Sequence, residues 1–516
     1  MLFNSYTFIL AFLPITLGLF FFLGRYAGRR VAISWLVAAS LFFYGWWNPA
    51  YLGLIIASIF FNYAIGTLLG DERRALSTRQ RIFALAVSAN LGVLGYYKYA
   101  NFFLENLNAA LGTGYAHAEI ILPLGISFFT FTQIAFLVDA YRGEVREYNF
   151  LHYALFVTYF PHLIAGPVLH HREMMPQFGR PSIFRFDSLN FAAGLSYFVL
   201  GLFKKVVIAD SLAGLGAPIF AAAAKGQQLM HLDAWGGALS YTFQLYFDFS
   251  GYSDMAIGLA LMMGVRLPLN FNSPYKAVNI IEFWRRWHMT LSRFLRDYLY
   301  IALGGNKKGP LRRYANLLIT MLLGGLWHGA GWTFIIWGAL HGCYLIVNHG
   351  WHAVRRSLGH DLASSSRLGR LSGNLLTFLA VVVGWVYFRA NDVDTAHRIL
   401  ASMLALPQLQ LSPFYSAVVQ QSALGAWVAV TGVSVSAEAI LLAVLSVAVS
   451  ITFLAPNTQQ IMGRFYLAPR GAEESAVLID NGIWSPNLCW AGLIGLAAVW
   501  ALLGLTQISE FLYFQF

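Results

Sequence analysis

The sequence predicts an all-α integral membrane protein. Of its 516 residues, 58% are hydrophobic and only 11% are charged, whereas soluble domains carry about 25% charged residues. The apolar residues form long runs separated by short polar loops, as in chains that cross a bilayer several times. The formal charge of +11 comes from Lys and Arg between these runs. That placement is typical of cytosolic loops and argues against nucleic-acid binding.

The first four apolar runs, at residues 7–24, 31–47, 51–69 and 82–97, are predicted to cross the membrane. Arginine-rich loops follow the first and third runs, and the turn after the second is nearly uncharged. Because basic loops stay in the cytosol, the N-terminus is predicted to lie outside the cytosol. The chain opens on an apolar run without the basic start or cleavage site of a signal peptide, so no cleaved leader is expected.

Eight further runs are predicted as spans, at 120–140, 150–168, 191–208, 234–247, 256–267, 375–388, 437–454 and 488–505. With the central stretch described next they give about 11 to 13 membrane segments. The sequence shows no tandem repeat and no soluble segment. Residues 1–516 are therefore predicted to form a single polytopic membrane domain.

The centre of the chain carries a polar break, LWHGAGW at 326–332, between apolar runs at 316–326 and 333–347. A histidine at membrane depth is a candidate functional residue, and the glycines around it allow the backbone to turn or to be closely approached. Basic residues flank both runs, so both outer ends are predicted to be cytosolic. As a helix, the first run would rise only about 17 Å and could not cross a core of roughly 30 Å. A re-entrant element with His328 at its tip is therefore predicted.

Residues 278–303 contain neither proline nor an internal glycine and have the apolar period of a helix. They are predicted to form one continuous amphipathic helix at the membrane interface, with Glu282 and Arg286 paired across one turn. His288 falls at the edge of the apolar face and should point into protein. A lone histidine there is more often a packed core residue, but a second buried histidine in the chain favours a shared pocket.

Other polar residues interrupt apolar runs at His162, Asp248, Asp254, Asn272 and His341. Each could serve a pocket, or could cap a helix or hydrogen-bond between helices. For Asp254 and His162 the structural interpretation is the stronger one, and His341 fits a pocket or a core hydrogen bond equally well.

Several kinds of site are excluded by their missing motifs. The sequence has no Walker loop, dinucleotide fingerprint, His-Glu-x-x-His or nucleophile elbow. Its two cysteines, Cys343 and Cys489, are far apart in apolar runs and support neither a disulfide framework nor a cysteine metal site. No metal is predicted.

Six sequence blocks carry a family resemblance: PLGISFFTFTQIAFLVDAYRG, FPHLIAGPV, QLYFDFSGYSDMAIGLALMMG, NFNSPY, EFWRRWHMTLSRFLRDYLYIALGGN and MLLGGLWHGAGWTFIIWGALHG. Together they closely resemble the membrane-bound O-acyltransferase superfamily, and within it the bacterial branch that acetylates polysaccharides such as alginate. The likeness extends over essentially the whole chain. The RRWH and LWHG blocks in combination are highly specific, and neither departs from the family pattern.

The resemblance implies a fold of membrane, re-entrant and interfacial helices around a central funnel, with a catalytic core over about 120–350. It places the near-invariant family histidine at His328 and the second characteristic histidine at His288. It implies an O-acetyltransferase of the bacterial inner membrane, with no permanently bound cofactor and with acetyl-CoA or another acyl thioester as donor. It also implies two partners, a periplasmic SGNH-type acetyltransferase and a polysaccharide synthesis and secretion complex. The similar D-alanyl transfer protein of teichoic acid synthesis, and cellulose and peptidoglycan acetylation systems, leave the polymer open.

Within this framework His328 is predicted to be the general base that takes a proton from an acceptor hydroxyl, and His288 to position the donor or stabilise the oxyanion. Asp248 or Asn272 could orient one of the histidines. The arginines of the amphipathic segment could bind donor phosphates or lipid headgroups. The full set of predicted substrate-binding residues is Trp327, Asp248, Asn272, Trp287, Arg285, Arg286, Arg296 and His162.

Two other classes of function are compatible with buried histidines. A transporter or flippase of an acetyl donor or glycan could use them as a proton relay, but it predicts inverted repeats, which the sequence does not show. A structural scaffold for a secretion complex leaves a histidine within a glycine-rich turn unexplained.

Overall fold

The computed structural model describes residues 1–117, 119–145, 148–362, 366–431, 433–463, 483–506 and 511–512, and all regular structure in these residues is helical. The all-α fold class is thereby confirmed. Four helices in this part of the chain are long and apolar enough to cross a membrane, at Thr7–Tyr26, Pro49–Gly70, Ser188–Ala224 and Arg367–Arg389. Three shorter apolar helices lie at Ile126–Tyr141, Ala437–Phe453 and Leu488–Leu503. The total of 11 to 13 membrane segments stays a prediction.

The α-helices follow in chain order. The first eleven are α1 (Leu13–Tyr26), α2 (Arg29–Gly45), α3 (Leu52–Gly70), α4 (Leu76–Leu94), α5 (Ala100–Leu111), α6 (Ile126–Tyr141), α7 (Phe150–Thr158), α8 (His171–Phe178), α9 (Ser188–Phe203), α10 (Asp210–Ala224) and α11 (His231–Met262). The others are α12 (Ile280–Arg286), α13 (Met289–Phe294), α14 (Gly309–His328), α15 (Trp332–Ser357), α16 (Arg367–Arg389), α17 (Val393–Leu404), α18 (Pro413–Gln420), α19 (Ala423–Thr431), α20 (Ala437–Phe453), α21 (Thr458–Met462) and α22 (Leu488–Leu503).

Short π-helical and 3-10 segments join several of these α-helices. The π-helical segments are Thr7–Phe12, Gly95–Tyr99, Lys204–Ala209 and Leu295–Tyr300, and the 3-10 segments are Pro49–Tyr51, Pro181–Phe184, Pro274–Lys276 and Gly504–Thr506. A π-helical turn carries an extra residue and therefore re-aims the side chains that follow it. One of these segments, Lys204–Ala209, connects α9 to α10 and carries a buried lysine.

The chain divides into two compact units. The first comprises Met1–Leu202, Tyr252–Leu269 and the described residues from Thr458 onward, and the second comprises Phe203–Gly251 and Asn270–Asn457. Because the chain passes between the units several times, this division does not test the single-domain assignment for 1–516, which stays a prediction.

The first unit is held together by packed aromatic rings and by buried polar pairs. Phe3 stacks on Tyr252 with ring centroids 4.9 Å apart and lies 5.0 Å from Phe8. The carboxylate of Asp254 accepts hydrogen bonds from Thr458 Oγ1 at 2.6 Å and Gln459 Nε2 at 3.0 Å. Asp254 is thus a structural residue that joins two segments, as the structural interpretation of the sequence predicts.

The second unit is built around a helical hairpin formed by α14 and α15. The two helices approach closely because glycines line their contact: a Cβ at Gly325 would overlap the carbonyl oxygen of Phe334, and one at Gly338 would overlap that of Met321. A Cβ at Gly342 would lie 2.8 Å from Leu318 Cδ1. The close approach predicted for the glycines around His328 is thus confirmed at Gly325, and Gly338 and Gly342 allow it on α15.

Four details of the sequence prediction are corrected by the structure. The spans predicted at 234–247 and 256–267 form one helix, α11, since their intervening carboxylates are paired. The helix predicted over 150–168 ends at Thr158, two residues before Phe160-Pro161, where proline disfavours helical backbone in the preceding residue.

The other two corrections concern the central elements. Helix α14 is 20 residues long, because it extends beyond the apolar run 316–326 into the basic residues that precede it. It begins at Gly309, within the basic flank that hydropathy assigned to a loop. The amphipathic segment 278–303 is not one continuous helix, because it breaks at His288 between α12 and α13. The hairpin turn after His328 is confirmed, whereas its re-entrant position in the membrane stays a prediction.

Candidate active site

His328 is the last residue of α14, and the Gly329–Gly331 turn connects it to α15. Its side chain is buried, with 5% of the residue exposed. The imidazole lies against three aromatic rings, with centroid distances of 4.9 Å to Trp327, 5.1 Å to Trp337 and 5.1 Å to Phe388. These rings come from α14, α15 and α16, so the histidine is fixed by all three helices.

His288 occupies the break between α12 and α13 in a left-handed backbone conformation, with φ 44° and ψ 53°. Only a few per cent of non-glycine residues adopt positive φ, and such positions often carry function. The residue is completely buried. The sequence prediction that His288 faces protein is therefore confirmed, although the helix on which it was placed is interrupted.

Asn270 holds His288 in this conformation. Its Oδ1 lies 3.0 Å from His288 Nδ1 and accepts a hydrogen bond from Thr290 Oγ1 at 2.9 Å, while its carbonyl oxygen accepts the Met289 N–H at 3.0 Å. Because Oδ1 is an acceptor, the proton of a neutral His288 ring resides on Nδ1, and Nε2 carries the lone pair. Sequence reasoning missed Asn270, although it stands in the NFNSPY block beside the predicted Asn272.

The two imidazoles lie close together. Their ring centroids are 6.5 Å apart with planes inclined by 62°, and Trp327 lies 6.3 Å from His288. Phe249 of α11 contacts His288 edge-on at 4.8 Å. The structure therefore places His288, His328 and Trp327 in one buried aromatic chamber, as predicted, and their catalytic roles stay a prediction.

Trp287 belongs to the aromatic wall beside this chamber. It is buried and packs 4.9 Å from Trp385, which in turn lies 5.4 Å from the Phe388 ring that contacts His328. Tyr275 holds this wall in place through two hydrogen bonds. Its hydroxyl donates to Thr242 O at 2.7 Å and accepts from Trp385 Nε1 at 3.1 Å. Trp287 thus contributes to the shape of the wall.

The three predicted arginines differ in their surroundings. Arg285 is exposed. Arg286 is paired with Glu282 at 2.6 Å, which confirms the predicted pair across one helical turn. The Arg296 side chain is 48% exposed and lies 2.8 Å from Asp297. Since two of the three guanidinium groups already face carboxylates, a donor phosphate would have to compete with these pairs.

The remaining predicted site residues have structural partners. Asn272 Oδ1 accepts a hydrogen bond from Asn457 at 3.0 Å. Asp248 forms an ion pair of 2.6 Å with Lys205, and the partner that orients His288 is Asn270. His162 lies in the first unit, buried, with Nε2 2.9 Å from the carbonyl oxygen of Phe156.

His341, which the sequence left open, lies one helical turn beyond Trp337 on α15 and is completely buried. Its ring is 4.9 Å from Trp337 and 5.3 Å from Trp284. Within the described part of the chain, neither of its ring nitrogens has a hydrogen-bond partner. The structure therefore favours a packed aromatic environment over a core hydrogen bond.

Replacing Asn270 with leucine is expected to destabilise the site. Leucine has a similar size but cannot accept the hydrogen bonds from Thr290 and the His288 ring, and each buried group left unsatisfied costs about 1–3 kcal/mol. The measurement is the midpoint of thermal unfolding in detergent, compared with Asn106→Leu, an asparagine whose side chain donates to Phe102 O one turn earlier on the same helix. Equal stability of Asn270→Leu and the unmodified protein would contradict the role given to Asn270.

Comparison with known proteins relates the chain to acyl transfer. Residues 31–386 match the model of the membrane-bound O-acyltransferase family. The chain is 44% identical to the peptidoglycan O-acetyltransferase of Helicobacter pylori over 438 residues, covering 80% of this chain and 81% of that protein. It is 47% identical to the probable alginate O-acetylase AlgI of Azotobacter vinelandii over 418 residues, covering 80% of each chain. It is also similar to the teichoic acid D-alanyltransferase of Lacticaseibacillus rhamnosus, with 26% identity over 66% of this chain and 84% of that protein.

Proposed function

Because the chain belongs to the membrane-bound O-acyltransferase family and is an acyltransferase, we propose that it transfers an acetyl group from a cytosolic thioester, of the acetyl-CoA class, for O-acetylation of a bacterial exopolysaccharide. Alginate is the acceptor polymer that we favour, because several relatives are probable alginate O-acetylases. In this proposal the protein lies in the inner membrane with a periplasmic N-terminus. A periplasmic SGNH-type acetyltransferase and a polysaccharide synthesis and secretion complex complete the pathway of the acetyl group to the polymer.

The observation that carries the proposal is the pair of buried imidazoles with centroids 6.5 Å apart. His328 takes the proton of the acceptor hydroxyl as its oxygen attacks the thioester carbonyl carbon. When the carbon–sulfur bond breaks, the leaving thiolate takes that proton back from the imidazolium. An ester and a free thiol result, with no net gain or loss of protons.

His288 has a complementary role in this mechanism. Its Nδ1 proton is directed at Asn270, so the neutral ring offers only the Nε2 lone pair to a substrate. A lone pair accepts a hydrogen bond from a hydroxyl or an amide, whereas stabilising an oxyanion requires a donor. We therefore favour positioning of a substrate over oxyanion stabilisation for neutral His288. The surrounding aromatic rings exclude water, which protects the thioester from hydrolysis.

Transfer is tested by incubating the purified protein with radiolabelled acetyl-CoA and an alginate oligosaccharide, with and without the periplasmic partner. Covalently acetylated product or partner is the expected result. Movement of label across a vesicle membrane without a new covalent bond would instead support the transporter. Family membership favours covalent transfer over both the transporter and the scaffold.

A further inference from the structure

A buried ion-pair cluster, formed by Lys205, Asp210 and Asp248, lies in the second unit and is not used by the mechanism above. Lys205 Nζ is 2.6 Å from Asp248 Oδ1 and 2.8 Å from Asp210 Oδ1. The side chains of Lys205 and Asp248 are each 2% exposed, and that of Asp210 is 22% exposed. Taking charges out of water is costly unless they are paired. The burial of Lys205 and Asp248 therefore requires that their side chains stay in contact.

The cluster depends on an irregular piece of backbone. Lys205 belongs to the π-helical segment Lys204–Ala209, and Asp210 begins α10 directly after it. A lysine in an apolar run is costly to bury unless its charge is paired. The wider π-helical turn changes the direction of its side chain, and such turns occur frequently at functional sites.

The cluster is connected to the candidate active site through α11. Asp248 immediately precedes Phe249, whose ring contacts the His288 imidazole edge-on at 4.8 Å. Phe249 also packs 4.8 Å from Phe271, the residue after Asn270, and Asn270 bonds to His288 Nδ1. The ion pair therefore fixes the turn of α11 that supports His288.

We propose that Lys205 and Asp248 are positioning residues for His288: their ion pair fixes the α11 turn that carries Phe249, the ring that contacts the His288 imidazole. The inference rests on the proposed function for its link to catalysis. Its structural content concerns His288 itself and can be measured without turnover.

The direct test is the 15N NMR spectrum of histidine-labelled protein at neutral pH, with the His288 signals identified by their loss in His288→Gln. The shifts of Nδ1 and Nε2 report which nitrogen carries the proton and therefore whether the bond to Asn270 is kept. Lys205→Met breaks the ion pair, so the His288 signals are expected to move or to split into more than one set. Lys205→Arg keeps both charge and ion pair, and should leave them unchanged. Asp254→Asn is the matched control, a buried carboxylate on the same helix that accepts hydrogen bonds from Thr458 and Gln459, and should also leave them unchanged.

The kinetic arm uses radiolabelled acetyl-CoA and an alginate oligosaccharide. Lys205→Met is expected to lower kcat at least tenfold with little change in KM, and Lys205→Arg to retain most of the activity. An unchanged His288 spectrum in Lys205→Met, or equal changes in Lys205→Met and Asp254→Asn, would overturn the inference. If the spectrum changes as expected but neither the variants nor the unmodified protein transfers acetyl, the proposed function fails while the positioning role stands.

Discussion

His328→Ala is expected to lower acetyl transfer by about 10²–10⁴-fold, the usual contribution of a positioned general base. The loss should appear in kcat, since alanine removes the proton acceptor but leaves the surrounding aromatic rings in place. The measurement is the initial rate of label transfer from acetyl-CoA by purified, monodisperse protein.

The matched control for this variant is His360→Ala. His360 lies in the second unit like His328, but its side chain is exposed in the loop after α15. It should retain full activity. Full activity in His328→Ala would falsify the assignment of the general base, whereas equal losses in both variants would indicate a defect of the preparation.

Gly338→Val is expected to abolish folding of the α14–α15 hairpin. A Cβ at this position would overlap the carbonyl oxygen of Met321, and the two backbones can separate only by losing their close packing. Because His328 stands at the end of α14, any protein that still folds should have lost transfer activity.

Gly350→Val provides the control on the same helix. A Cβ at Gly350 would meet nothing within 4 Å, so the same substitution should be tolerated there. The Gly338→Val and Gly350→Val proteins are compared by their yield of monodisperse protein in size-exclusion chromatography in detergent. Normal yield and activity of Gly338→Val would mean that the hairpin does not pack through its glycines.

The hairpin and its histidine could be predicted from the sequence because their signals are local. Apolar runs on either side of LWHGAGW mark two helices, and the glycines mark a turn and a close approach. The inward orientation of His288 also follows from helical periodicity. The start of α14 could not be predicted in this way, since hydropathy treats Arg312 and Arg313 as loop residues although they form its first turns.

The other parts of the site depend on contacts between distant segments. Asn270 is 18 residues from the histidine that it orients, and no spacing rule connects the two. Lys205 interrupts an apolar run and resembles a loop residue until Asp210 and Asp248 are seen beside it. The same pairing explains why α11 continues through Asp248, where a hydropathy window ends a span.

The left-handed backbone at position 288 separates two properties that a mutational scan usually mixes. Glycine tolerates φ 44° without strain, and asparagine tolerates it better than most residues. In a library covering every amino acid there, Gly and Asn should therefore express best among the inactive variants, ahead of Ala, and Val or Ile should express worst. Abundance at this site would rank residues by their backbone preference, and enzymatic output would rank them by their chemistry.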